Sequence, residues 1–190
     1  MNDRFEMRFS GSGGQGVILA SVIFAEAAVI AGLKTVQSQA YGPEARGGVS
    51  RAETVLSRGP IWYSKVTAPD FLLALTQASL DAYSKGLSDG AVVMADDTLK
   101  VPKGLDPSRV IAVPVLRTAR ETVGKAFTAN IVAVGAINAA LGLFTEEQLL
   151  EAVRRHIPAG TEEINKKALD AGASLITPAL AKAFRRTIGE

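Results

Sequence analysis

The chain has 190 residues, 47% of them hydrophobic and 21% charged, enough apolar material for a sizeable core in one domain. It has no cysteine and one histidine, His156, which excludes disulfides, thiolate-held iron–sulfur clusters, cysteine-bound zinc and a histidine-rich metal site within this chain. A net charge of +2 without aromatic–basic clusters argues against nucleic acid. No run of 18 apolar residues is free of polar interruptions, so no membrane span is expected. The first residues, Met1 to Glu6, lack a signal peptide's apolar core, and a soluble cytoplasmic protein is the expectation.

Phe5 to Phe9 alternates apolar and polar residues as a short strand does. It runs into Ser10-Gly11-Ser12-Gly13-Gly14-Gln15-Gly16, where Gly11, Gly13 and Gly16 stand at the G-x-G-x-x-G spacing of a strand–turn–helix phosphate loop. Glycines admit positive φ and close ligand approach, and the helix start behind them offers unpaired N–H groups to an anion. Val17 to Ala31 predicts a nearly all-apolar helix closed by Gly32, with Ser21 and Glu26 as exceptions. Glu26 either pairs with an arginine, faces a partner, or is a functional carboxylate of shifted pKa.

Lys34 to Gln39 predicts a second strand. Ala40 to Gly48 is a loop by composition, with turn signals at Gly42-Pro43 and Gly47-Gly48, and it carries Tyr41, Glu44 and Arg46 together. Val49 to Ser57 alternates: Ala52, Thr54 and Leu56 face one way, Arg51, Glu53 and Val55 a wetter other way. After the turn at Arg58-Gly59-Pro60, Ile61 to Val66 is expected to pair back as an antiparallel hairpin arm. Phe71 to Leu75 and Ala91 to Ala95 read as buried strands, Gln77 to Leu87 as a helix, and Val110 to Val115 as the last strand. Asp96-Asp97 is a polar strand terminus or, less simply, a metal site. Arg117 to Lys125 predicts a short polar helix, and Phe127 to Leu143 a long apolar one containing Asn130 and Asn138. These asparagines suit buried backbone or interface hydrogen bonds, with a ligand contact open for Asn130. Thr145 and Gln148 have capping-box spacing and start a helix through His156, read as a solvated surface residue. Helices follow from about Thr161 to Ala171 and from Pro178 to Ile188. The whole predicts an α/β fold, a three-layer α/β/α domain with a mixed, mostly parallel sheet and an antiparallel hairpin.

A dinucleotide fold should carry an acid at the end of its second strand, about 20 residues past the glycines, to hold the ribose. Thr35-Val36-Gln37-Ser38-Gln39 has none, which counts against NAD. The loop also lacks the Lys-Ser/Thr ending of a nucleoside triphosphatase. Ser10 and Ser12 have no evident base, and no catalytic set emerges.

Three segments then converge: Arg8 to Gly16, Gln37 to Gly48, and Ala129-Asn130-Ile131-Val132-Ala133-Val134-Gly135-Ala136. Together with Pro69 to Leu75 they resemble the gamma subunit of the 2-oxoacid:ferredoxin oxidoreductases, over nearly the whole chain to about residue 175. The wording from Tyr41 to Gly48 looks most like the 2-oxoglutarate type; pyruvate and branched-chain types tend to differ there. The resemblance implies a single gamma domain over residues 1–190. It implies a non-catalytic subunit of a complex that converts a 2-oxoacid and coenzyme A to acyl-CoA and carbon dioxide while reducing ferredoxin. Thiamine diphosphate, magnesium and iron–sulfur clusters would belong to the alpha, beta and delta subunits, and this chain alone would bind no cofactor or metal. Its own contribution would be to wall the coenzyme A side through Gly11, Ser12, Gly13, Gly14, Gln15, Gly16, Tyr41, Glu44, Arg46 and Asn130. Coenzyme A phosphates, or a partner's carboxylate, would meet the loop's N–H groups, with Arg46 adding a charge-assisted contact. The alternatives are a free-standing Rossmann-like binder of a nucleotide or flavin, or a gamma subunit of indolepyruvate, pyruvate or branched-chain specificity. The apolar helices 17–31 and 131–143 suggest surplus surface for a partner, or for self-association when the chain is expressed alone.

Overall fold

A computed structural model describes residues 3–40 and 49–188. Six strands form one sheet in the order β2-β3-β1-β4-β5-β6: β1 (Arg4–Ser12), β2 (Lys34–Ala40), β3 (Val49–Ser57), β4 (Phe71–Ala74), β5 (Val92–Asp96) and β6 (Val110–Val113). The β1–β4, β4–β5 and β5–β6 pairs are parallel, while β3 runs antiparallel to both β1 and β2. The sheet is therefore mixed and mostly parallel, as expected. The antiparallel hairpin is β2–β3 rather than β3 with Ile61–Val66, which form no strand. Both edges of β3 are already filled by β1 and β2, so residues 61–66 have no place in the ladder.

Alternation along β1 sorts Phe5, Met7 and Phe9 to one face and Glu6, Arg8 and Ser10 to the other, and both sets are buried. The strand continues past Phe9 to Ser12 because β3 pairs it throughout, Gly11 with Ser50 and Ser12 with Val49. On the first face lie α1 (Val17–Ile30), α4 (Ala129–Leu141), α5 (Glu146–His156) and α6 (Glu162–Ala173), around a core that includes Phe9, Phe24, Phe71, Ile137 and Phe144. On the second face α2 (Gln77–Tyr83) covers Leu72, Ala74, Val93 and Ala95 with Leu80. The central strands are thus covered on both faces, which explains their continuous apolar runs.

Helix ends follow local chemistry. α1 stops where Gly32 takes φ 78° and the N–H of Leu33 reaches back to the Ala28 carbonyl at 2.8 Å. The Thr145/Gln148 capping box forms with both of its hydrogen bonds. Three predicted helices are shorter than expected: α2 ends at Tyr83, α7 (Pro178–Phe184) ends before Ile188, and the segment after β6 is a single α-turn, α3 (Val115–Arg117), continuing as a π-helical turn, Thr118–Val123. That π turn buries Thr118, Ala119 and Val123, so its polar reading fails on the side that meets α6.

The apolar α4 is not surplus surface. It packs against α6, α1 and α7, and residues 129–137, 140 and 141 are buried by the chain itself. α1 leaves only a stripe partly open, with Val22 half-buried and Val29 exposed. On that stripe Glu26 meets Arg155 Nη1 at 2.7 Å, while His156 Nε2 lies 3.5 Å from its other oxygen. His156 is half-buried rather than solvated. The Arg155 hydrogen bond is the main cause holding the Glu26 pKa below its ordinary 4.5, against a weaker upward push from burial, and His156 adds to the lowering. A depressed folded-state pKa means stability that is present above the unfolded value and lost as pH falls through the folded one. Glu26→Gln is therefore expected to lower the urea midpoint at pH 7, with the difference from wild type vanishing on acidification below 4.5. A difference that persists unchanged at pH 3 would refute the ion pair as its source.

Candidate functional site

The end of β1 delivers the chain into the glycine turn at the carboxyl end of the parallel strands, where open α/β sheets place ligands. Gly11 still belongs to β1, and a methyl group there would sit 2.5 Å from Gln15 Oε1 and 3.1 Å from Val17 Cγ1. Gln15 closes the turn from inside: its Oε1 accepts the Ser12 N–H at 2.7 Å, and its own N–H reaches the Ser12 carbonyl at 3.3 Å. Its side-chain carbonyl is therefore occupied within the turn, a role the spacing did not reveal. Gly13 and Gly14 at the tip are exposed, and a Cβ on either would meet nothing within 4 Å. Backbone of another molecule or a phosphate can approach them closely.

Gly16 caps α1 at φ 71°, a left-handed conformation that favours glycine. A Cβ at Gly16 would fall 2.6 Å from Asn130 Nδ2, so the buried Asn130 packs directly on the loop. Asn130 belongs to the first turn of α4. Two helix starts thus meet here, α1 behind Gly16 and α4 behind Thr128. Neither has a side-chain capping bond nor an acid in its first turn. α4 continues a 3-10 turn, Ala126–Thr128, and the Ala129 N–H already bonds the Ala126 carbonyl, so the open positive helix end at this site is that of α1 behind Gly16, which suits an anion. Asn138, in contrast, serves the fold by bonding both the N–H and the carbonyl of Phe144 at 3.0 Å.

Tyr41, Glu44 and Arg46 lie outside the described residues. The flanks of their segment are fixed: Ala40 closes β2 opposite Arg51, and Val49 opens β3 opposite Ser12 of the glycine turn. Both flanks stand at the same end of the sheet as Gly11–Gly16.

The strand order also bears on dinucleotide binding. β2 runs in the direction of β1, but β3 is inserted between them. The end of β2, where a ribose acid would stand, is displaced to roughly 10 Å from β1, two strand spacings. Asp96 is a structural terminus: buried, it accepts from Thr98 N–H, Thr98 Oγ1 and Leu116 N–H. Among the described residues no cluster of three or more His, Asp or Glu is placed to hold a metal, and no helix is long and apolar enough to cross a membrane.

A family model for pyruvate ferredoxin/flavodoxin oxidoreductase matches residues 6–175. The chain belongs to this family. It is 41% identical over 180 residues to the 2-oxoglutarate synthase subunit KorC of Methanothermobacter thermautotrophicus, covering 91% of this chain and 95% of that one. It is 38% identical over 172 residues to the ketoisovalerate oxidoreductase subunit VorA of the same organism, there covering 88% of this chain but 35% of the longer relative. Among solved structures it matches the gamma subunit of the keto/oxoacid ferredoxin oxidoreductase from Geobacter sulfurreducens with a TM-score of 0.80 and 42% identity, over 95% and 98% of the two chains. The relatives are subunits of oxidoreductases, and the glycine turn, its two helix starts and Asn130 all lie inside the matched family region.

Proposed function

We propose that this chain is the non-catalytic gamma subunit of a cytoplasmic 2-oxoglutarate:ferredoxin oxidoreductase, acting as one unit over residues 1–190. The observation that carries the reading is similarity to KorC along nine-tenths of both chains. Thiamine diphosphate, magnesium and iron–sulfur clusters supply decarboxylation and electron transfer on the alpha, beta and delta partners, and this cysteine-free chain offers no thiolate to a cluster. What the chain contributes is a wall. The open tip at Gly13 and Gly14 admits a polyanion, and the N–H groups that begin α1 face it without a competing acid. Asn130 holds Gly16 in place. In this reading Tyr41 packs against the ligand or a partner subunit, and Glu44 orients Arg46 toward a phosphate of coenzyme A.

Reconstitution with the alpha, beta and delta chains tests the reading. The complex should reduce ferredoxin only with 2-oxoglutarate and coenzyme A together, and the isolated chain should do nothing; turnover by the isolated chain would end the proposal. Within the complex, Arg46→Ala should weaken coenzyme A by about 10- to 100-fold in calorimetric titration, the range for a lost charge-assisted contact. Unchanged affinity would remove Arg46 from the ligand and leave it to a subunit contact.

A further inference from the structure

At the other end of β1, roughly 26 Å from the glycine turn at ~3.3 Å rise per residue, the chain presents two aromatic side chains to solvent. Trp62, the chain's only tryptophan, is 91% exposed and its neighbour Tyr63 is 56% exposed. They sit in the loop between β3 and β4, and its backbone is held firmly. The Arg4 guanidinium donates to the carbonyls of Tyr63 and Lys65. The buried Glu6 carboxylate accepts the N–H groups of Thr67 and Ala68 at 2.9 and 3.2 Å. Asp70 accepts the Glu6 N–H at 2.8 Å and the Ser88 hydroxyl at 2.7 Å, and Val66 anchors the loop in the interior. Three charged side chains of this end of the sheet thus fix residues 63–70, while the indole and phenol project outward. An aromatic pair on a pre-ordered backbone loses little entropy on docking, and Trp and Tyr dominate the energetic centres of interfaces.

The rim of this patch is basic. Lys65 is exposed within the aromatic loop, Lys34 is exposed opposite Ser57 of β3, and Arg58, exposed where the loop begins, donates its Nε to the Ile188 carbonyl; the exposed acid here is Asp3, adjoining Gly59, while the Glu6 and Asp70 carboxylates are turned onto the N–H and hydroxyl groups they hold. A two-fold contact with a second copy would set these cations against themselves.

We propose that Trp62 and Tyr63 form a docking point for another subunit of the complex, one that offers an apolar pocket with an acidic rim. The proposal rests on the gamma-subunit reading for the existence of that complex. The patch lies at the opposite end of the sheet from the glycine turn, so it acts on assembly and leaves the loop's own ligand contacts untouched.

The test labels this chain alone with 5-fluorotryptophan, which places a single fluorine probe at Trp62, and mixes it with the unlabelled remaining subunits. On assembly the fluorine resonance should shift and lose its H2O/D2O solvent-isotope difference. Trp62→Ala should lower the association constant of the subunit about 30-fold, as for an interface hot spot. Lys65→Glu should weaken association and flatten its salt dependence. A complex that forms with a solvent-exposed resonance and is indifferent to Trp62→Ala overturns the docking point while leaving the gamma-subunit reading intact. A resonance that shifts with concentration in the isolated chain overturns the choice of a heterologous partner. Failure of the wild-type chain to associate with the other subunits overturns both readings.

Discussion

Gly172→Ala should destabilise the chain by about 3 kcal/mol, seen as a lower urea midpoint with an unchanged slope. α4 and α6 touch through their backbones. A Cβ at Gly172 on α6 would overlap the Val132 carbonyl of α4, and one at Gly135 on α4 would overlap the Leu169 carbonyl of α6. Neither obstacle is a flexible side-chain tip. Val132 is fully buried, and α4 is also held by α1 and α7, so the strain relaxes by lifting α6 outward. That movement opens the packing of Ala168, Leu169, Ile131 and Val132, which lie in the main core. Gly135→Ala should behave alike. The double variant should cost less than the sum of the two, because one separation of the helices accommodates both methyl groups. A loss under about 1 kcal/mol for Gly172→Ala would contradict the backbone contact.

Gly135 shows what the sequence conveys and what it hides. The residue stands in a segment that marks the family resemblance, yet its reason is a crossing with a helix some 35 residues further on, which no local pattern announces. Strand positions were legible because period-two alternation and short apolar runs are local. Strand partners were not, and so local pattern assigns Ile61–Val66 a place that β1 and β2 already fill. The helix at Thr145 was legible because its cap is made of adjacent residues. The apolar character of α4 suggested a partner protein because the residues of α6 that cover it are small, among them Ala168 and Gly172, and α6 is polar elsewhere. Of the aromatics open to solvent, Trp62 and Tyr63 lie instead in the loop after β3, and Phe127 in the turn before α4. At the site, the glycine spacing gave the turn, but the internal closure by Gln15 and the meeting of a second helix start at Asn130 depend on the fold. Glu26 is a comparable case: an arginine partner was an option from sequence, and Arg155, 129 positions away, supplies it.

Glu53→Ala should cost about 3–5 kcal/mol, the range for removing one partner of a buried ion pair. Alternation predicted a wetter face for β3 at Arg51, Glu53 and Val55, but Glu53 and Val55 are buried. Glu53 lies directly opposite Arg8 in the β1–β3 register, and two guanidinium nitrogens of Arg8 meet its Oε1 at 2.7 and 2.8 Å. Arg51 approaches the same oxygen at 3.7 Å, and the Tyr83 ring of α2 lies 5.4 and 5.7 Å from the two guanidinium carbons. Removing the carboxylate leaves two cations near one ring, with Arg8 still shut away from water; the ring's negative face offsets only part of that cost. Truncation and replacement should therefore diverge. Arg8→Met combined with Glu53→Leu removes both charges and fills the space, and should recover most of the loss in urea unfolding. If the double variant is as unstable as Glu53→Ala, packing around Tyr83 rather than the unpaired charge is the cause. The same pair also bears on the site. Gly11 and Ser12 lie three and four residues beyond Arg8 on β1, and their partners Ser50 and Val49 follow directly from the 41–48 segment on β3. A bond that locks Arg8 to Glu53 fixes the register that sets the glycine turn beside Val49 and Ser50, which follow residues 41–48 in the chain. On the proposed gamma-subunit reading, Glu53→Ala should accordingly weaken coenzyme A binding in the assembled complex even though the residue lies back along β3 from the turn, and the charge-free double variant should restore it.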